Sequence, residues 1–264
     1  MYDWLPHDIA LKTDVSDASW VVERLRPWGD TYPQPIACFM PDTYDAYARL
    51  PHPGREYVRG HDGSVVVNWT SWSNLAARRG ATLGATTRWE EVSGFAPQAG
   101  PVERIDEPSL GSMPGVLVEL VADFLRSWTS TSNRTWFGMW EGNGTWWKGA
   151  HSVLTFGSVD PDRTAELLRI DDERDRVLRT TPTFGTPQRR YFLMAGPLTA
   201  ASTLTDAAGG SSPNLWWPDN RAWFVSTEVD DLSTYVGGQT SMIDALVAAS
   251  EIEAVPTTLD TPGV

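Results

Sequence analysis

Residues 211–238, SSPNLWWPDNRAWFVSTEVDDLSTYVGG, gather the side chains most able to do chemistry. Glu228 and Asp230 stand two apart in a run of aromatic and β-branched residues, 222–230, and that composition predicts a strand. Alternation puts Trp223, Val225, Thr227 and Val229 on one face, which reads as core. The other face carries Phe224, Ser226, Glu228 and Asp230. It begins apolar and ends in two carboxylates, their Cα atoms about 6–7 Å apart. Glu141 ends a second aromatic run, 136–140. Paired acids flanked by aromatic rings are what glycosidase-type hydrolysis requires. Glu141, Glu228 and Asp230 are therefore the candidate catalytic residues. The plainer reading is that these acids mark where strands leave the core and turns begin.

Upstream, Trp216-Trp217-Pro218-Asp219-Asn220 predicts a turn, because Pro218 fixes its own φ and biases Trp217 away from helix. Adjacent rings in a turn do not readily enter one core, so one of them is expected to face a groove or a partner. Trp216, Trp217, Asp219, Asn220 and Arg221, with Trp140, are the candidate ligand- or partner-binding residues. Trp20, Trp69, Trp128, Trp136, Trp140 and Trp223 read as core rings.

The remaining chemistry is excluded more easily. His7, His52, His61 and His151 are far apart, and no Cys/His spacing suits zinc, so no metal is expected. Asp219, Glu228, Asp230 and Asp231 could offer oxygens to a hard cation, but acids at a strand end are usually solvated. Cys38 is the one cysteine, lies in an apolar stretch, and reads as a buried inert thiol with no disulfide. There is no Gly-x-Ser-x-Gly elbow and no phosphate-binding glycine loop, so no cofactor is expected. A net charge of −13 argues against sequence-independent nucleic-acid binding, because phosphates need basic neighbours. No apolar window is long enough to cross a bilayer, and the N-terminus does not read as a secretory signal. A cytoplasmic protein with no membrane or nucleic-acid partner is expected.

The elements that must position these residues can be read in order. A first helix is expected from Ser16 or Asp17 to Leu25, then a buried strand at 35–40 and a short helix after Asp42 carrying Tyr44, Tyr47 and Ala48. Strands at 57–58 and 65–69 should pair through the Asp62-Gly63 turn, followed by a helix from Trp72 closed by Gly80. Residues 84–115 read as a surface crossing and a soft boundary, with an edge strand near Trp89. Leu117, Leu120, Val121, Phe124, Leu125 and Trp128 keep helical spacing. Strands are expected at 136–140, 152–156 and 191–195, with a charged, mobile insertion near 160–188 that holds at most a short solvated helix. A last helix starts near Ser241, a short strand follows at 252–255, and the tail beyond Pro256 should be loose. Grouped strands with irregular helices give an α+β fold in one domain, with a mainly antiparallel sheet, several packed helices and long connections. Residues 136–140, 191–195 and 222–229 should share that sheet.

Three phrases carry a resemblance: PDTYDAYAR at 41–49, WFGMWEG at 136–142, and SPNLWWPD at 212–219 running on to TYVGG at 234–238. Together they resemble a family of uncharacterised actinobacterial proteins, in short blocks across most of the chain. Where the family pattern has His-Thr after the long helix and Cys before Trp136, this chain has Trp128-Thr129 and Thr135. The resemblance implies a cytosolic actinobacterial setting, no particular activity, and no His or Cys catalyst at those places.

Three functions stay open on the sequence. The first is a non-enzymatic binding or interaction protein, using the tryptophan-rich turn on an unknown protein partner or a small polar ligand. The second is a hydrolase acting on a carbohydrate or similar polar ligand through paired carboxylates. The third is an acidic immunity-type protein that binds a basic partner.

Overall fold

The computed structural model of the chain describes residues 2–30, 32–94, 102–147 and 161–263. The strand expected at 152–156, and His151, lie outside the described residues. In chain order the elements begin with β1 (Ala10–Leu11) and α1 (Ser19–Glu23). Next come β2 (Ala46–Pro51), β3 (Gly54–Arg59) and β4 (Val65–Thr70). They are followed by α2 (Trp72–Ala77), α3 (Trp89–Ser93), β5 (Val102–Asp106) and α4 (Gly115–Arg126). After β6 (Thr135–Trp140) the chain forms α5 (Pro161–Leu178), β7 (Thr183–Gly185), β8 (Arg190–Gly196) and α6 (Ala200–Ala207). It ends with β9 (Leu215–Pro218), β10 (Trp223–Thr227), β11 (Ser233–Gly238), α7 (Thr240–Ala248) and β12 (Val255–Thr257).

These elements make an α+β fold with two antiparallel sheets. The large sheet has nine strands in the order β1-β8-β6-β9-β10-β11-β2-β12, with β7 also on β8. The small sheet has the order β4-β3-β5. The expected sharing of one sheet by 136–140, 191–195 and 222–229 holds, because β6, β8 and β10 are joined through β9.

The large sheet is a middle layer covered on both sides. One face, with Phe137, Phe192, Trp216, Trp223, Val225 and Val236, meets Val118 and Val121 of α4, Leu204 of α6 and Leu246 of α7. The opposite face, with Trp136, Leu193, Trp217, Phe224 and Tyr235, meets Trp20 and Val21 of α1 and Ile36, Phe39 and Met40. Its central strands are therefore apolar on both sides, unlike a half-exposed antiparallel sheet. A third cluster, with Trp72, Leu75, Trp89, Val92 and Leu232, seats α2 and α3.

Several expected elements are corrected. Residues 35–40 form a single 3₁₀ turn at Ile36–Cys38, not a strand. The Ile36 and Ala37 N–H groups donate to the Thr261 and Leu259 carbonyls, both at 2.9 Å, so the tail expected to be loose holds this turn. The helix expected around Tyr47 is strand β2, because six residues pair with β11 and local helical spacing loses to that ladder. Trp89 opens helix α3, not a strand, and β5 lies further on, so 84–115 contributes to the small sheet unit. The charged stretch near 160–188 forms an 18-residue helix and strand β7. Leu178 and Arg174 are buried, and the Arg174 Nε donates to the Trp146 carbonyl at 2.9 Å.

Candidate functional site

The register of the large sheet brings several strand ends together. β8 begins at Arg190, beside the end of β6 at Trp140. β9 begins at Leu215, opposite Ser226 near the end of β10. Residues just beyond these ends can therefore meet. Arg189 closes the hairpin between β7 and β8, where Thr186 and Arg189 exchange backbone hydrogen bonds of 2.9 and 3.2 Å. Glu228 follows β10 directly, and its carbonyl accepts from the Asp231 N–H at 3.1 Å as the chain turns into β11.

Arg189 joins the two candidate acids. Its Nε donates to Glu228 Oε1 at 2.7 Å, and its Nη2 lies 2.5 Å from the same oxygen and 2.6 Å from Asp230 Oδ2. The guanidinium also lies over the Trp28 and Trp140 rings, 5.0 and 5.9 Å from their centroids. Glu228 is only 6% exposed, with Arg189 and the Val229 backbone N–H as the donors at its carboxylate. Burial pushes the Glu228 carboxyl above its ordinary range, with the hydrogen bond and charge of Arg189 pulling the other way. Burial works against the Arg189 charge, but Glu228 and Asp230 more than offset it and hold the guanidinium protonated.

These groups line a cavity of about 40 Å³ with Trp28, Tyr32, Gln34, Phe39 and Asp231. A larger hollow of about 310 Å³ shares Tyr32, Pro33, Asp230 and Gly263 with it and is walled further by Arg88, Trp89, Glu90, Glu107, Leu110 and Leu232. The combined cleft runs from the end of the large sheet to helix α3. Five carboxylates (Glu90, Glu107, Glu228, Asp230 and Asp231) face two guanidiniums, Arg88 and Arg189. The excess of negative charge reaches Tyr32, which is largely exposed but whose hydroxyl pKa is raised by local desolvation and then by Asp230, Asp231 and Glu228.

The other sequence candidates lie elsewhere. Trp216 and Trp217 are each 1% exposed, so neither faces a groove. They occupy strand β9 in the middle of the sheet, not a turn, and alternation sends one ring into each of the two cores. Trp216 meets Trp223 edge-on at 6.0 Å, and Trp217 stacks on Phe224 at 5.5 Å. Asp219, Asn220 and Arg221 make the exposed turn between β9 and β10, at the other end of these strands from Glu228. Asp219 accepts from the Trp136 Nε1–H at 3.1 Å, and Asn220 accepts from the Thr129 hydroxyl at 2.8 Å. Arg221 has φ +54° and covers the Trp20 ring at 4.8 Å. The turn is thus fastened to its neighbours. Trp140 does reach the cleft region, through Arg189. Glu141 does not join Glu228 and Asp230, because both its oxygens accept from Arg190, at 2.7 and 3.0 Å. Trp69, read as core, is 56% exposed. Among the described residues no cluster of His, Cys, Asp and Glu could hold a metal ion.

Trp28, Tyr32, Trp89 and Arg189 were not marked by spacing. They come from segments far apart in sequence, and no local signal in the sequence joins them. The fold and site define an α+β protein with an acidic, aromatic-walled cleft at a sheet end. Comparison of the chain with protein-family models, with curated proteins and with solved structures finds no match. No described helix is long and apolar enough to cross a membrane.

Proposed function

We propose that this is a non-enzymatic binding protein whose ligand is a small organic cation held in the Arg189 cleft. One observation carries the reading: the cleft sets five carboxylates, with Glu228 and Asp230 at its inner end, against two guanidiniums, beside aromatic rings. That excess of negative charge favours a cation over a neutral or anionic ligand. The inner cavity has room for roughly one or two water-sized groups, an ammonium head among them. Tyr32 and Trp89 add aromatic rings that favour cations to the walls of the outer hollow. The outer hollow suits the body of a small molecule.

The hydrolase reading has less support. Arg189 ties Glu228 and Asp230 to one guanidinium, so the two acids do not flank an open space for a scissile bond. Thermal unfolding with spermidine, agmatine and tetramethylammonium, beside an anionic control such as citrate, tests the proposal. Cations should raise the melting temperature and the anion should not; saturation at a hundred times Kd corresponds to about 2.7 kcal/mol. Glu228→Gln should abolish the cation effect. A shift by citrate alone, or cation shifts that persist in Glu228→Gln, would sink it.

A further inference from the structure

Outside the cleft, the largest unexplained feature is β4. Val65, Val66, Val67 and Trp69 are 46%, 52%, 51% and 56% exposed, on the outer strand of the small sheet. The Gly60 N–H donates to the Ser64 carbonyl at 2.8 Å, which sets the alternation of the β3–β4 ladder. Val66, Asn68 and Thr70 turn their backbone groups to β3. The N–H and C=O groups of Val65, Val67 and Trp69 point away from β3, to an edge on which no other strand lies among the described residues.

The other sheet edges among the described residues are guarded in the ways that prevent pairing. On the far side of the same sheet, β5 carries Glu103, Arg104 and Asp106 and has a register shift against β3. The large sheet ends in β1 and β7, two and three residues long and both on β8, and in β12, three residues long with Pro256 at its centre. β4 has six residues, no proline, no ionisable side chain and no shift in its pairing with β3.

We infer that β4 is a self-association edge, where two copies of this chain pair antiparallel about a two-fold axis at Val67. That axis sets Val67 against Val67 and Val65 against Trp69 of the other copy, twice. The three edge-facing residues of each strand are the ones that meet, so every free N–H and C=O of the stretch gains a partner. Direct opposition also keeps Val65, Val67 and Trp69 of both copies on one face, as a continuous apolar stripe. Charge favours a second copy at this place over others. A net charge of −13 makes like copies repel, whereas this strand is neutral and the same-face residues of β3 are Arg55, Tyr57 and Arg59. In the paired arrangement Arg55 of one copy and Arg59 of the other stand three strand spacings apart, about 14 Å. That is beyond the screening length of roughly 8 Å at physiological salt. The two copies would form one six-stranded sheet, leaving both Arg189 clefts on separate molecules.

Sedimentation velocity over a range of concentrations tests the state, and a cysteine at the axis tests the register. The wild type should show a concentration-dependent species of twice 29.2 kDa. Val67→Lys puts like charges face to face and should leave monomer, with an unchanged circular dichroism spectrum because Val67 is exposed. Val67→Cys should cross-link into a dimer on mild oxidation, since directly opposed, hydrogen-bonded residues of an antiparallel pair have Cα atoms about 5.5 Å apart, within disulfide reach. The buried Cys38 should not react, and Arg104→Cys, two strands away, should stay monomeric on the same gel. A monomer at all concentrations would overturn the inference and leave the edge to a strand of another protein. A dimer that survives Val67→Lys, or that does not cross-link through Val67→Cys, would overturn it too, by locating the contact elsewhere.

Discussion

Adjacent side chains on a strand point to opposite sides, and that elementary fact decides the role of Trp216 and Trp217. In a sheet with one wet face, one ring would be exposed. Here both faces are covered, so both rings are core. Trp216→Ala, Trp217→Ala and Trp223→Ala should each cost about 3–5 kcal/mol in urea unfolding, because each removes a large buried ring and leaves a cavity. A cost below about 1 kcal/mol for any of them would mean that its ring is not buried. The acids at 228 and 230 were legible as a pair at a strand's end, but β10 stops at Thr227 and not at 230, so they stand in the turn and it is Arg189, not alternation, that brings them together. Their partner Arg189 was not legible, since 39 residues separate it from Glu228 and only the β8-β6-β9-β10 order brings it near.

His52 makes a second argument at this scale. It is fully buried, with Nε2 2.9 Å from the Thr234 hydroxyl oxygen, and burial pushes its pKa down to about 3. The folded state therefore keeps His52 neutral while the unfolded chain takes up a proton near the ordinary value of 6.5. Its contribution is complete above that value and is lost as pH falls from 6.5 toward 3. The loss at pH 5 is about 2 kcal/mol relative to pH 8. Glu228 works in the opposite sense, because its raised pKa lets the folded state bind a proton first. Comparing the pH dependence of unfolding in the wild type and in His52→Gln isolates the histidine. Parallel curves between pH 5 and 8 would show that His52 is not held neutral.

At the scale of elements, periodicity found what local pattern governs. Helix α4 follows from its i, i+3, i+4 spacing, and the β3–β4 hairpin from its Asp-Gly turn. The pattern misled where a distant ladder decides, as in β2, whose partner β11 lies more than 180 residues on. It also misled at α5, where charge was taken for solvation. Arg174 there is 5% exposed and reaches both the Trp146 carbonyl and Asp171, the latter at 2.6 Å. Arg174→Ala should loosen the C-terminal half of α5, raising amide exchange in residues 170–178 by about tenfold, equivalent to roughly 1.4 kcal/mol. Exchange in α4 should not change. Equal effects in both helices would indicate a global loss of stability in place of a local anchor.

At the scale of the whole molecule, the two sheets are joined by a small polar junction. Arg49 of β2 is fully buried. Its Nη1 donates to the Thr87 carbonyl at 2.8 Å and the Ala85 carbonyl at 3.2 Å, and its Nε to the Ser233 hydroxyl at 2.9 Å. The guanidinium also lies over Trp72, 4.8 Å from the ring centroid. Trp72 in turn donates from Nε1 to the His52 carbonyl at 2.7 Å, and Glu253 accepts from the Trp72 and Ser73 N–H groups at 2.8 and 2.7 Å. The loop 84–88 thus reaches the large sheet through Arg49, and α2 reaches it through the strand end at His52 and the segment before β12. A buried guanidinium is costly to desolvate, and burial does lower the Arg49 pKa, so its hydrogen bonds must offset that cost. Arg49→Met keeps the length and apolar stem but leaves the loop carbonyls without their donor. The expected loss is about 2–5 kcal/mol, concentrated at the junction. Since Trp89, Arg88 and Glu90 stand on the small-sheet side of the cleft, ligand response should weaken with it. Calorimetry is the discriminating measurement. The wild type should melt in one transition, and Arg49→Met should show an earlier one with the enthalpy of the small-sheet unit alone. A single transition merely shifted to lower temperature would mean that the two sheets remain one cooperative unit without Arg49, held by Trp72, Leu232 and Glu253.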